Sequence, residues 1–407
     1  MAGPLGHVRV LELSRVLAGP WAAQTLADLG ASVIKVEKPG AGDDTRTYAP
    51  PYARARDGAE SGESAYFLST NRGKRSVTID FIRPEGQKLV QALAAKSDVV
   101  IENFKVGGLA KYGLDYTSLR ALNPGLVYCS ITGFGQTGPY SHKPGYDFMI
   151  QGIGGLMSIT GEPDGHPGGG PVKVGVAVAD IFTGLYAAIA ILGALSHRDR
   201  TGDGQHIDLA LLDTQVAVLA NQAMNYLVTG VAPKRLGNSH PNIVPYQVFA
   251  ASDGHLIVAV GNETQFARMC EVIGRPELAR DARFATNAAR VNHREEIVAI
   301  LREIFAPRTM RHWLDALERV GVPCGPINTI ADVFADPQVQ ARCLRLDLPH
   351  PATGSVPSVA NPIRYSATPI AYRSAPPMLG ADTDEILRET LGVTPDEIAR
   401  LRKAGII

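Results

Sequence analysis

The chain has 407 residues, more than one compact core normally holds, so two domains are expected. Hydrophobic residues make up 45% and charged residues 20%, a globular mix, and 40 basic residues balance 40 acidic ones. That balance excludes a general nucleic-acid binder, which needs a basic excess, but leaves room for a local basic patch for phosphates.

Residues 8–13 alternate like a strand, 21–29 carry a helical pattern closed by Gly30, and 32–37 form a second strand. A strand, a small-residue turn, a helix and a strand can hold a phosphate-bearing ligand at the helix N-terminus. The turn lacks GxGxxG and offers only Gly19 before Pro20, so spacing alone favours ordinary α/β packing over dinucleotide binding. Residues 38–62 are polar and rich in Gly, Pro and Arg, which reads as a long loop of the functional kind. Strands at 74–80, 98–102 and 126–132, with a proline-initiated helix at 84–96, continue the alternation. The pattern predicts a parallel sheet with right-handed crossovers. The Gly-rich stretch GFGQTGPYSHKPGYD follows, ending in the pair Tyr146–Asp147, which suits either a turn or a polar wall to a site.

Residues 171–198, PVKVGVAVADIFTGLYAAIAILGALSHR, contain one acid, Asp180. It lies between a short apolar strand-like run and a long apolar helix. Locally, an N-cap is the simpler role; a nucleophilic carboxylate is the functional one, and a helix start would stabilise its ionised form. The apolar run 181–196 falls short of the roughly 20 residues that cross a bilayer, so a buried helix and no membrane association are expected.

A strand at 205–211 and a helix at 213–228 come next. Residues 244–260 read as two antiparallel strands around the turn Ser252–Asp253–Gly254, and helical patterns run to about 320. A Pro-rich extended tail ends in helices at 382–391 and 394–404. The expected organisation is a large α/β domain at 1–229, a small domain at 230–330, and a return segment at 331–407 that reaches the large domain or a partner subunit. Cys129, Cys270, Cys324 and Cys343 are widely spaced, and no signal core precedes the first strand, so a reduced, cytoplasmic protein is expected. The histidines form no metal pattern, so no metal is expected, and no GxSxG occurs, so no hydrolase elbow is expected. Of the basic residues near loop ends, Arg15, Lys35, Lys38, Arg46, Arg72, Lys74, Arg75, Lys105 and Lys111, most suit a solvated face. The cluster Arg72-Gly73-Lys74-Arg75 just before a strand equally suits phosphate binding.

Five ordered motifs carry a resemblance across essentially the whole chain: RVLAGPWAAQTLADLGASVIKVEKPGAGDDTR, NRGKRSVTIDF, DVVIENFKVGGLAKYGL, SITGFGQTGPY with GYD, and VGVAVADIFTGLYA. The chain resembles the class III CoA-transferases, the family of formyl-CoA and carnitine CoA-transferases. The resemblance implies a large Rossmann-like parallel-sheet domain, a smaller α+β domain, and a ring-like chain forming an interlocked homodimer. It implies Asp180 as the nucleophile that takes the acyl group of a CoA thioester through mixed anhydride and aspartyl-CoA thioester intermediates. CoA is then a substrate, and no further cofactor is expected. The family's CoA contacts fall on Val16, Leu17, Ala18, Lys38, Arg72, Ile79, Asn103, Phe104, Lys105 and Lys111, with Tyr146 and Asp147 near the thioester. Formyl-CoA transferase has glutamine where this chain has Leu17, and a glycine-run loop after the nucleophile. Neither stands at the matching place here, which argues against formate or oxalate. Succinyl-CoA as donor and glutarate or a similar dicarboxylate as acceptor are expected, with the cationic Arg46, Lys143 and His240 as candidates for the remote carboxylate. The rival readings are an α-methylacyl-CoA racemase, whose family histidine is here Tyr146, a poor base, and a non-catalytic CoA-binding protein.

Overall fold

The computed structural model describes residues 3–407, which form two compact units. The first comprises the described residues up to Gly154, Gly175–Val218 and Pro337–Ile407; the second comprises Gly155–Val174 and Leu219–Asp336. The boundaries thus differ from the expected 229/230 and 330/331. The helix expected at 213–228 is two helices, Leu211–Ala217 and Ala220–Thr229, and Ala220 sits at φ +45° where they part. The chain leaves the first unit at that break.

The first unit is built on six strands: β1 (Arg9–Glu12), β2 (Ser32–Glu37), β3 (Lys74–Thr78), β4 (Val99–Glu102), β5 (Val127–Thr132) and β6 (His206–Ala210). All pairings are parallel and the order is β3-β2-β1-β4-β5-β6, the doubly wound arrangement. On one face Val10, Val33, Val99, Ile101 and Val127 pack against α1 (Ala18–Asp28) and α4 (Val178–Thr201). On the other, Leu11, Ile34, Val77 and Val100 pack against α2 (Pro84–Ala95) and two C-terminal helices, α8 (Thr383–Leu391) and α9 (Pro395–Lys403). The tail therefore returns to the large unit of its own chain, where the Asp80 N–H donates to the Ile406 carbonyl at 2.7 Å. The part of the long loop at 38–62 that precedes α1's neighbouring helix Ala65–Thr70 contains a 3-10 turn, Asp44–Thr47, and the hairpin Tyr52–Arg54 with Glu60–Ser64.

The second unit has a three-stranded antiparallel sheet of β7 (Tyr246–Ala251), β8 (Gly254–Ala259) and β9 (Cys324–Pro326). Helices α5 (Glu263–Val272), α6 (Arg294–Phe305) and α7 (Met310–Arg319) contribute Phe266, Leu301, Phe305, Trp313 and Leu317 to its core. The remaining helix of use here, α3 (Asp147–Ile153), belongs to the first unit.

Helix α4 corrects two expectations. It has 24 residues and is long and apolar enough to cross a membrane by those criteria, yet 44% of its apolar window is buried within the protein. It packs tightly against α1 at Gly184, where a Cβ would stand 2.6 Å from the Ala18 carbonyl oxygen. No strand precedes it, so Asp180 lies inside the helix and not at a strand-to-helix junction.

The carboxyl ends of β1 and β2 and the first residue of β3 carry buried charges instead of apolar side chains. Glu12 pairs in register with Lys35, and Lys35 with Ser76. Lys35 Nζ lies 3.2 Å from Glu12 and 2.9 Å from Asp43; Lys74 Nζ lies 2.8 Å from Glu12, all at zero side-chain exposure. Arg46 forks onto Glu37 at 2.7 and 2.8 Å, and Ser76 donates to the same carboxylate at 2.6 Å. Burial pushes Asp43 upward, but Lys35 and the Thr45 N–H and hydroxyl outweigh it and bring its pKa down to about 2. Burial likewise opposes Glu37, whose pKa ends below the usual carboxylate range because Arg46, Lys35 and Ser76 stabilise the anion. Both groups are depressed, so their contribution is present above the unfolded value near 4 and is lost as pH falls. The melting-temperature difference between the parent protein and Asp43→Asn should therefore hold from pH 7 to about 5, then shrink steeply between about 4 and 2. A flat profile across that interval would contradict the pairing.

Candidate active site

In this strand order the chain runs from β1 outward to one side and from β4 outward to the other, which opens a crevice at the carboxyl ends of those two strands. A cleft of about 720 Å³ lies there, within the first unit. Its walls are the β1–α1 turn, the ends of β2 and β4, the segment after β3, the 141–146 loop and Asp180. Across the opening, the Arg15 N–H donates to Asn103 Oδ1 at 2.9 Å and Asn103 Nδ2 donates back to the Arg15 carbonyl at 2.7 Å. The N-terminus of α1, which has no side-chain cap, follows directly at Ala18. Free N–H groups at such a terminus suit an anion.

Of the residues expected to contact CoA, Val16, Leu17, Ala18, Lys38, Ile79, Asn103, Phe104, Lys105, Lys111 and Tyr146 all line this one cleft. So does Lys143, expected instead at the acceptor. Among the described residues, Lys38, Lys105, Lys111 and Lys143 are exposed and form no ion pair, so a polyanion meets uncommitted charge. Lys111 lies over the Tyr112 ring at 4.7 Å and Lys143 over the Tyr140 ring at 3.7 Å.

Two cations are corrections. Arg72 is buried, forks onto Asp28 at 2.9 and 2.6 Å, and donates to the Val359 carbonyl at 2.8 Å. It thereby clasps the hairpin of β10 (Arg345–His350) and β11 (Gly354–Val359) and is spent on structure. Arg46 is committed to Glu37, to the Pro377 carbonyl and to the face of Phe67 at 3.6 Å, and it does not line the cleft. Lys35, which suited a solvated face, and Lys74, in the cluster that equally suited phosphate binding, are wholly buried. His240 lies in the second unit, where its Nδ1 accepts the Asn242 N–H at 3.1 Å and its carbonyl accepts from Arg294.

Asp180 is the third residue of α4 and is not its cap. That role falls to Asp147: its Oδ1 accepts the Ala179 N–H at 2.8 Å, and its Oδ2 accepts from Gln151 at 2.8 Å. The Asp180 carboxylate, half-buried in the cleft wall, makes no hydrogen bond among the described residues. Burial, and secondarily the charge of Asp147, push its pKa up to about 7. A half-buried carboxylate left without protein donors is a poor structural group and a competent nucleophile. Tyr66 and Tyr48 also belong to this neighbourhood and were not singled out from sequence. Burial, then the charge of Asp180, raise the Tyr66 hydroxyl to about 12, and its ring packs edge-on to Tyr48 at 5.5 Å. They are 18 positions apart with no shared periodicity, so only the folded loop brings them together.

The family model described as CoA-transferase family III matches residues 5–383. Succinate–glutarate CoA-transferase of Agrobacterium fabrum is 57% identical over 386 residues, covering 95% of each chain. Succinyl-CoA:glutarate CoA-transferase of Homo sapiens is 44% identical over 404 residues, covering 99% of this chain and 90% of the human one. Among solved structures, a CAIB/BAIF family protein from Brucella suis superposes with a TM-score of 0.83 at 55% identity, covering 96% of this chain and all of that one. With a parallel-sheet crevice, a cation-lined cleft and an unpartnered aspartate on its wall, the chain belongs to CoA-transferase family III.

Proposed function

We propose that the protein moves CoA from succinyl-CoA to glutarate or a similar short dicarboxylate, with Asp180 as nucleophile. The observation that carries this is the Asp180 carboxylate, free of hydrogen bonds, in the wall of the same cleft as the β1–α1 turn and the uncommitted lysines. The relatives named above for succinate and glutarate support the choice of acids.

Asp180 attacks the thioester carbonyl carbon; the C–S bond breaks and CoA leaves as thiolate. The thiolate attacks the Asp180 carbonyl of the mixed anhydride and expels the donor acid as carboxylate. An acceptor carboxylate then attacks the aspartyl thioester, releases thiolate again, and the thiolate takes the acceptor acyl group and frees Asp180. No proton changes hands in the cycle, so the cleft needs no general base; it must hold the thiolate and exclude water. The cations at Lys38, Lys105 and Lys111 suit the phosphates of CoA. An interlocked homodimer is part of the reading. It is supported by the exposed Phe182, Leu185, Tyr186 and Ile189 on α4, an apolar stripe that a second copy would cover. Light scattering would return twice the chain mass.

The test of the activity is acyl-CoA exchange with a panel of acids, read by mass spectrometry. Glutaryl-CoA and a hydroxylamine-sensitive adduct on Asp180 are expected; turnover without an adduct would remove Asp180 from the mechanism. Because the protonated carboxyl is not nucleophilic, kcat/KM for the acyl-CoA should rise through about pH 7 and level off above it. Asp147→Asn keeps the oxygen that caps Ala179 but removes the charge, so the midpoint should move to lower pH by up to about one unit. An unmoved midpoint would assign the whole elevation to burial.

A further inference from the structure

Val16 has φ +72°, a left-handed conformation that a β-branched side chain resists, and it sits at the tip of the β1–α1 turn in the wall of the cleft. Its backbone is gripped. The Val16 N–H donates to Asp43 Oδ1 at 3.2 Å. That carboxylate also accepts the Thr45 N–H at 3.0 Å and hydroxyl at 2.8 Å, while its other oxygen meets Lys35 at 2.9 Å. The flanking residues are held from beneath: Lys35 Nζ donates to the Ser14 carbonyl at 2.9 Å, and Lys74 Nζ to the Pro20 carbonyl at 3.0 Å. A turn lined only by packing would let Val16 relax to negative φ. Asp43 removes that escape, because the N–H it binds would rotate away.

We propose that Asp43 is a positioning residue for the CoA thioester: ion-paired to buried Lys35, it locks Val16 in the left-handed conformation and so presets the Val16–Ala18 backbone that faces the ligand. This role rests on the CoA-transferase reading above, and it gives a task to the buried Asp43–Lys35 pair in the cleft wall. Its consequence is that the turn is formed before CoA arrives, so ordering costs little on binding.

A double-mutant cycle on the full-length protein tests it, with CoA affinity by calorimetry and KM and kcat for succinyl-CoA as readouts. Asp43→Asn turns an N–H₂ group toward Lys35 and should weaken CoA binding about tenfold, raising KM more than it lowers kcat. Glycine adopts φ +72° without strain, so in the Val16→Gly background the same Asp43→Asn change should cost less than about twofold. An equal loss in both backgrounds would show that Asp43 does not act through Val16 and would overturn the proposal. If Asp43→Asn does not fold, hydrogen exchange on the unmodified protein decides: the amide of Val16 should be protected equally with and without CoA. A Val16 amide that exchanges freely until CoA binds would overturn the proposal. Absence of CoA binding to the unmodified protein would instead refute the transferase reading itself.

Discussion

Asp180→Asn is expected to abolish CoA transfer, by three orders of magnitude or more, while raising the melting temperature. The first half follows from covalent catalysis: an amide in place of the carboxylate cannot form the anhydride, and binding alone leaves only residual rate. The second follows from the same burial that makes the group reactive. A carboxyl with a folded pKa near 7 and an unfolded one near 4 binds more protons folded than unfolded across that window. Stability therefore falls as pH rises from about 4 to 7, and above 7 the ionised group carries its full cost. Asparagine escapes it. The gain should be on the order of 2 kcal/mol above pH 7, after discount for the half-exposed setting, and should vanish below about pH 4. Melting curves of both proteins at pH 4 and pH 8 check this. An Asp180→Asn protein less stable than the parent at pH 8 would mean that the carboxylate is structural after all.

The site was legible in the sequence where it depended on local grammar. The lone acid in 171–198 stood out because the surrounding helix is apolar, and the turn after β1 follows from the strand–turn–helix pattern, whereas the CoA-contact positions after β4 come only from the family resemblance. What escaped was anything decided by burial. Lys35, Lys74, Arg46 and Arg72 look like ordinary basic residues at strand or loop ends. Whether such a group faces water or an acid depends on partners brought in from distant segments: Glu12, Asp43 and Glu37 for three of them, Asp28 and the β11 hairpin for the fourth. Alternation within β2 places Lys35 and Glu37 on one side with Val33, a pattern that reads as a half-solvated strand. The cap of α4 escaped for a similar reason. Local sequence offers Asp180 for it, whereas the fold supplies Asp147 from α3, 32 positions upstream of the amide it accepts. That substitution of caps leaves the Asp180 carboxylate without a hydrogen bond among the described residues.

Glu12→Gln should destabilise the protein by about 3–5 kcal/mol, the cost of breaking a buried ion pair from one side. Glutamine fills the space and can still accept from the Ser14 hydroxyl, which Glu12 Oε1 does now at 3.1 Å. It cannot balance two cations. Lys35 retains Asp43, but Lys74 is left with the Pro20 carbonyl and Asn71 Oδ1, both neutral. Burial has already brought Lys74 down to about 8, against the pull of Glu12; without that pull it should lose its proton at neutral pH. Adding Lys74→Met removes the stranded group and keeps most of its volume. If the unpaired charge is the cost, the double variant should recover more than half of the loss in urea midpoint. If recovery is small, the cost lies in the geometry that Glu12 imposes on Ser14 and Lys35, at the root of the β1–α1 turn. CoA affinity should then fall along with stability, because that turn forms one wall of the cleft.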